Sequence, residues 1–510
     1  MKTTAETKIY ILGAGFAGQM LAQEIGRKKI FGAVAAFLDD DEKLKGAYVD
    51  GIPVLVPIET MLPLLRRSDR DEAIIAMPAA PQERLRSIYD ALRQNGFNRI
   101  KILPAVSQIV DGEARLVQAR RIDPLDLLGR TPVTIPLKKS LAYLRGKRVL
   151  ITGAGGSIGA ELARQLLSGG AERLYLFGHG ENSIYNIDRE LRILQSEGVG
   201  EKATVVPVIG DMKNRDYMFD ILGKLRCDVI FHCAAYKHVP LMEENPIAAI
   251  GNNVFGTKNV LDAALETGVR RFVLLSTDKA VSPVSVYGVS KLLGEQLTLE
   301  AASAVHGGGA SAGQKLRIRV PPHPCGGDEA AYMFVRFGNV LGSRGSVLPL
   351  FMTQLKTGGP LTVTHREMKR YFMTIPEASS LVLQTGGVGR NGESYLLDMG
   401  DPVRIYDIAE QIIRFSGFEP GRDVGIALTG LRKGERLDET LWLPEEEPEP
   451  TEYPRILRLK GAAAAGTDLS ALLESLGPVC FRSKDAPELY RNRERLLEIL
   501  AEAFPSFRER

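Results

Sequence analysis

Cysteine is scarce in this sequence, net charge is nearly absent, and no apolar run is long enough to cross a bilayer. Only four of 510 residues are cysteines: Cys227, Cys233, Cys325 and Cys480. Their scatter excludes a disulfide framework and a metal-ligand cluster, so they read as incidental thiols of a reducing compartment and no metal is expected. Lys and Arg number 65 against 62 Asp and Glu, a formal charge of +3. That balance suits no phosphate-rich polymer, and a nucleic-acid partner is not expected. No stretch reaches the roughly 18 apolar residues of a membrane span. The opening "MKTTAETKIYILGAG" also lacks the apolar core and cleavage site of a signal peptide. The chain as it stands reads as cytoplasmic.

What is present is one pattern, twice. "KIYILGAGFAGQMLAQEI" from Lys8 and "KRVLITGAGGSIGAELARQLL" from Lys147 each run from a short apolar strand through a glycine-rich turn into an amphipathic helix. That is the start of a βαβ unit. The expected fold is α/β, with two Rossmann-like, doubly wound parallel-sheet domains. Residues 1–110 form the first domain and 111–146 a connector. Residues 147–340 form the catalytic domain, and 341–510 a smaller substrate-binding lobe with a C-terminal extension. Within the catalytic domain, 303–330 is Gly- and Pro-rich without apolar period, and reads as a mobile insertion.

In the second turn, Gly153, Gly156 and Gly159 leave room for backbone N–H groups to approach a pyrophosphate at a helix N-terminus. Asp211 ends a later strand, where it can face an adenine amino group. Ala234-Ala235 ends another, where a cofactor can pass close. Gly178 stands where a ribose-binding carboxylate is expected, with Glu181 as substitute. NAD is therefore favoured over NADP only modestly. The first turn, Gly13-x-Gly15-x-x-Gly18 with Asp39, Asp40 and Asp41, reads as a second nucleotide-type site or, more readily, as a retained fold without chemistry.

The stretch "STDKAVSPVSVYGVSK", Ser276 to Lys291, carries the chemistry. Tyr287 and Lys291 share a helix face. A cation beside a phenol lowers its pKa, and the phenolate can take a hydroxyl proton while hydride leaves. Thr277, Asp278 and Lys279 end the preceding strand. Oxidising a sugar's C4 hydroxyl makes the C5 hydrogen acidic. One base at C5 and one acid at the C6 hydroxyl then suffice to expel water. Lys279 is assigned as that base and Asp278 as that acid, each with its pKa drawn toward neutrality.

"TGAGGSIGAEL", "AAYKHVPLMEENP", "STDKAVSPVSVYGVSK", "VRFGNVLGSRGSVLPLF", "GGPLTVTHREMKRYFMTIPEA" and "GLRKGERLDETL" resemble the nucleoside-diphosphate-sugar 4,6-dehydratases, which are extended short-chain dehydrogenases. "ILGAGFAGQML", "FLDDD" and "IDPLDLLGR" are similar to the long form of that family. The resemblance implies UDP-N-acetylglucosamine or a close UDP-hexosamine as substrate, a 4-keto-6-deoxy product, and a homo-oligomer. On the cofactor side it adds Ser157, Ile158, Met212, Lys237 and Asn253, the last tying neighbouring strand ends. On the substrate side it implies Lys237, His238, Asn339, Arg344, Ser346, Val347, Arg432 and Glu435. Long-form members have Met where this chain has Tyr287, which leaves C5 stereochemistry open with a lean to retention. They also carry membrane helices before the first domain. This sequence opens directly at that domain, as a soluble variant or without an anchoring region. The rival readings are a UDP-sugar 4-epimerase, which has no need of the Asp-Lys pair, and a non-catalytic nucleotide-sugar sensor.

Overall fold

The computed structural model describes residues 7–28, 32–65, 68, 70–77, 80–103, 120–121, 141–200, 202–305, 330–416, 418–461 and 468–508. Most of the expected connector, the "IDPLDLLGR" segment and most of the expected insertion lie outside these residues. The chain divides into two compact units, Met1–Lys138 with Ser196–Val199, and Lys139–Gln195 with Gly200–Arg510.

The first unit holds strands β1 (Lys8–Leu12), β2 (Ala33–Leu38), β3 (Tyr48–Val49), β4 (Ile52–Leu55), β5 (Glu72–Ile75), β6 (Arg99–Ile102) and β7 (Arg120–Arg121). Their order is β3-β4-β2-β1-β5-β6-β7. Side chains alternate across a strand, and β1 shows why its run is apolar throughout. Ile9 and Ile11 join one buried cluster, while Tyr10 and Leu12 join another. A parallel strand buried on both faces needs such a run. Asp39 turns inward: its carboxylate accepts the N–H of Ala14 at 2.6 Å, of Asp40 at 2.7 Å and of Asp41 at 3.0 Å. One amide of the glycine turn is thus already bonded within the unit.

The second unit is built on a nine-stranded sheet. Its strands β8 (Arg148–Thr152), β9 (Arg173–Gly178), β10 (Thr204–Ile209), β11 (Val229–His232), β12 (Arg271–Leu275) and β13 (Ala331–Arg336) run parallel in the order β10-β9-β8-β11-β12-β13. Strand order reverses at β8. A crevice at such a switch point, beyond the carboxyl ends of the strands, is where ligands bind in open α/β sheets.

The chain after residue 340 differs from expectation. Three short ribbons lie outside the main sheet: Asn339–Leu341 with Phe372–Thr374, Leu361–Val363 with Ile426–Leu428, and Lys369–Arg370 with Val403–Arg404. But Ser394–Leu397, Ile456–Lys460 and Glu447–Pro450 return to extend the main sheet beyond β13. The helices Leu469–Cys480 and Arg493–Ala503 also join the main core, through Leu472, Leu476, Leu496 and Leu500. That core includes the helix Val286–Val305, apolar nearly all round, which therefore needs cover on every side.

One buried ion network ties this helix to the sheet. Arg336, at the end of β13, donates to Glu295 at 2.8 and 2.7 Å and to Glu446 at 2.8 and 2.6 Å. Ser276, just after β12, donates to Glu295 at 2.5 Å. Removing this guanidinium from two buried carboxylates leaves uncompensated charge, which costs roughly 3–5 kcal/mol. Arg336→Met is expected to show that loss in denaturant unfolding. A change under about 1 kcal/mol, the median worth of an exposed pair, would contradict it.

Candidate active site

The catalytic turn begins where β12 ends. Asp278–Ala280 form one 3-10 turn, and the Thr277 hydroxyl caps it by accepting the Lys279 N–H at 3.4 Å. Asp278 is completely buried. Its Oδ1 accepts from Thr277 Oγ1 at 2.8 Å and from Lys279 Nζ at 2.9 Å. Its Oδ2 has no hydrogen-bond partner among the described residues. A buried acceptor left unpaired costs about 1–3 kcal/mol, more when charged, so this oxygen marks a place built for something else.

Lys279 differs from its expectation. Besides Asp278, its Nζ meets Asn339 Oδ1 at 3.3 Å and Glu439 Oε1 at 3.5 Å. Burial alone pushes the amine's pKa down, but Asp278 and Glu439 outweigh burial and hold it above the ordinary lysine value. In this arrangement Lys279 is an ammonium, not an amine drawn toward neutrality, because one cation sits between two carboxylates.

Tyr287 and Lys291 lie one turn apart on the helix Val286–Val305. Tyr287 is buried in the first turn of its helix. Burial pushes its phenol up to about 12, while Lys279 and a hydrogen bond with the Thr277 side chain pull the other way. Lys291 sits one turn on and donates to the Leu275 carbonyl at 2.5 Å; burial lowers its pKa to about 8. Lys279 thus acts on the phenol as a cation, beside the expected Lys291, which uses one donor on the end of β12.

The glycine turn lies at the switch point. Gly153 has φ +67°, and a Cβ there would come 2.8 Å from the Ala234 nitrogen; a Cβ at Gly159 would come 2.4 Å from the Gly153 oxygen. Backbone thus approaches backbone between the turn and the Ala234-Ala235 strand end. Ser157 and Ile158 open the helix Ser157–Ser168. Glu181 is exposed at the start of the next helix, past Gly178. Asp211 pairs with Lys213 at 3.2 Å, and Met212 packs beside Gly256. Asn253 is buried: it accepts the Tyr236 N–H at 2.8 Å and donates to Tyr236 O and Ser290 Oγ, both at 2.9 Å. It thereby joins the loop after β11 to the helix that carries Tyr287.

Several substrate-side residues converge on this turn. Lys237 donates to Ser343 at 3.2 Å, and the His238 ring lies against Gly345. Burial lowers both pKa values, with Lys237 adding to the shift of His238. Arg344 donates its N–H to Ser157 Oγ at 3.1 Å and its guanidinium to Gly155 O at 3.0 Å. Ser346 Oγ has no hydrogen-bond partner among the described residues, just before the helix Val347–Lys356. Arg432 is exposed, with its N–H bonded to Glu435. The arginine of that loop that reaches the catalytic turn is Arg436, which donates to the carbonyls of Val281, at 3.1 Å, and Ser282. Arg436, Glu439 and Arg370 carry no local sequence signal; their one cue is membership of "KRYF" and "GERLDETL" within the motifs quoted above. Among the described residues no acid, histidine or cysteine cluster suits a metal, and no helix is long and apolar enough to cross a membrane.

A glycine turn at a sheet's switch point, facing a Thr-Asp-Lys turn and a Tyr-x-x-x-Lys helix, defines a Rossmann-fold protein of the extended short-chain dehydrogenase type. The sequence profile described as "Polysaccharide biosynthesis protein" matches residues 149–461. The chain belongs to that family. It is 39% identical over 469 residues to the capsular polysaccharide biosynthesis protein CapD of Staphylococcus aureus, covering 91% of this chain and 74% of CapD. It is 31% identical over 308 residues to a UDP-glucose 4-epimerase of Rickettsia typhi, covering 59% and 79%. The X-ray structure of Pen from Bacillus thuringiensis superposes with a TM-score of 0.53 at 30% identity, over 63% of this chain and 90% of Pen.

Proposed function

We propose that this chain is a UDP-N-acetylhexosamine 4,6-dehydratase, with UDP-N-acetylglucosamine as first substrate, serving cell-surface polysaccharide synthesis in the cytoplasm. The carrying observation is the buried Asp278 carboxylate, one oxygen unpartnered and the other bonded to Lys279, beside the Tyr287 phenol. A 4-epimerase uses the redox pair alone and has no work for a buried carboxylate and amine.

The close approach of Gly153 to Ala234 is a cradle that a side chain would fill, and it fits a dinucleotide such as NAD. Bound there, a nicotinamide would supply the hydride acceptor and donor that the reaction needs. Tyr287 accepts the proton of the C4 hydroxyl. An ammonium cannot remove the C5 proton, but the 2.9 Å bond from Lys279 to Asp278 offers a route. Passing that proton across gives a neutral amine and a carboxylic acid. The amine takes the C5 proton, the acid protonates the departing C6 hydroxyl, and water leaves. Elimination leaves Lys279 as ammonium and Asp278 as carboxylate; that ammonium returns a proton to C5 as hydride enters C6, and the proton Tyr287 took from the C4 hydroxyl then restores Lys279 by way of solvent.

Incubation with UDP-N-acetylglucosamine, followed by mass spectrometry, is expected to give a product lighter by one water. A product of unchanged mass would instead support the 4-epimerase reading, which the similarity to the Rickettsia enzyme makes the natural rival.

A further inference from the structure

We infer that Glu439 is a positioning residue of the elimination, clamping the Lys279 amine together with Asp278 and so governing how readily that amine gives up its proton. The inference rests on the dehydratase reading and adds to it a residue from the far end of the chain.

Glu439 lies well over a hundred residues beyond the catalytic turn, yet its side chain is buried with Oε1 3.5 Å from Lys279 Nζ. The same oxygen lies 3.6 Å from the Arg370 guanidinium. Arg370 is itself fixed by three backbone carbonyls, Lys369 O at 2.7 Å, Leu437 O at 2.9 Å and Arg436 O at 2.7 Å. The carboxylate is therefore held between a pinned arginine and the catalytic amine. Lys279, Ser285, Arg436 and Glu439 line one small cleft, so the clamp faces an opening beside the catalytic turn.

The groups acting on Lys279 come from every element around it. Asp278 lies on its own turn, Tyr287 on the following helix, Arg370 on a lobe strand and Glu439 on the 429–446 loop; Asn339 contributes an uncharged amide. Two carboxylates face two cations. Removing the charge of Glu439 leaves Lys279 and Arg370 with Asp278 alone. The ammonium then loses a partner, and every protonation constant of the coupled Lys279–Asp278 pair falls.

The test is the pH–rate profile of water loss in the full-length enzyme with its cofactor bound. In Glu439→Gln both limbs of the bell are expected to move to lower pH, by about one unit for the loss of one opposite charge at this range. Glu439→Asp keeps the charge and is expected to keep the limbs, at reduced rate. Limbs of Glu439→Gln that coincide with wild type, under a uniformly lower rate, would overturn the clamp and leave Glu439 a merely structural group. Should wild type release no water from any UDP-hexosamine, the dehydratase reading fails by itself. The clamp is then read from a carbon-13 lysine NMR titration, with Lys279 assigned through Lys279→Arg. A lower titration point for Lys279 in Glu439→Gln supports it, and an unmoved one overturns it.

Discussion

Lys279→Arg is expected to lower water loss by roughly 10²–10⁴-fold, the usual contribution of a positioned acid or base, while leaving the fold and the bound cofactor intact. Arginine is the informative replacement. The site holds Lys279 between the Asp278 and Glu439 side chains, so an alanine would leave buried Asp278 without its cation and Glu439 with Arg370 alone. A guanidinium keeps that charge but does not deprotonate in proteins. Electrostatic support and basicity are thereby separated. Oxidation at C4 should persist, visible as a single-turnover burst of reduced nicotinamide absorbance, with no water released after it. Wild-type turnover in Lys279→Arg would remove the base role from this residue.

Tyr287→Phe is expected to act one step earlier and to abolish the burst itself, again by roughly 10²–10⁴-fold. The phenol is buried, bonded to Thr277, and pushed up to about 12. A group with a raised pKa is protonated through neutral pH and gains its basic form only as pH rises. Wild type should therefore oxidise faster toward alkaline pH, and Tyr287→Phe should lose that dependence along with its rate. Tyr287→Met, which restores the residue common in long-form relatives, is expected to fare no better here, because Met supplies no group to take the proton. A Tyr287→Met enzyme with an undiminished burst would pass the oxidation role to Thr277, Asp278 or Lys279.

Much of this site is written locally in the chain. The glycine turn, the Thr277-Asp278-Lys279 strand end and the Tyr287–Lys291 spacing each depend on residues within one strand–turn–helix unit. Periodicity and turn chemistry therefore reveal them, and the parallel sheet with its switch point follows from the same pattern. What was not legible is what depends on distant pairing. Nothing near Glu439 or Arg370 says that a loop and a lobe strand will fold onto Lys279. Nothing in "ESYLLDMG" or "RILRLKG" tells a strand of the lobe from one that extends the main sheet beyond β13. Charge states were hidden for the same reason. The motif pairs Lys291 with the phenol, and only the folded chain shows Lys291 donating to the Leu275 carbonyl and Lys279 acting on the phenol as a further cation. Arg432 and Arg436 show the limit at its sharpest: four residues apart in one loop, only the second reaches the catalytic turn.

The central claim is that Asp278 and Lys279 convert a redox step at C4 into an elimination across C5 and C6. It is tested most directly by NMR of the UDP-N-acetylglucosamine reaction in deuterated water. The account predicts a product lacking one water, with solvent deuterium at C5 and the former C4 hydrogen in the new C6 methyl group; the same spectrum reads the C5 configuration. A 4-epimer that retains its C6 hydroxyl and carries no deuterium at C5 would contradict it.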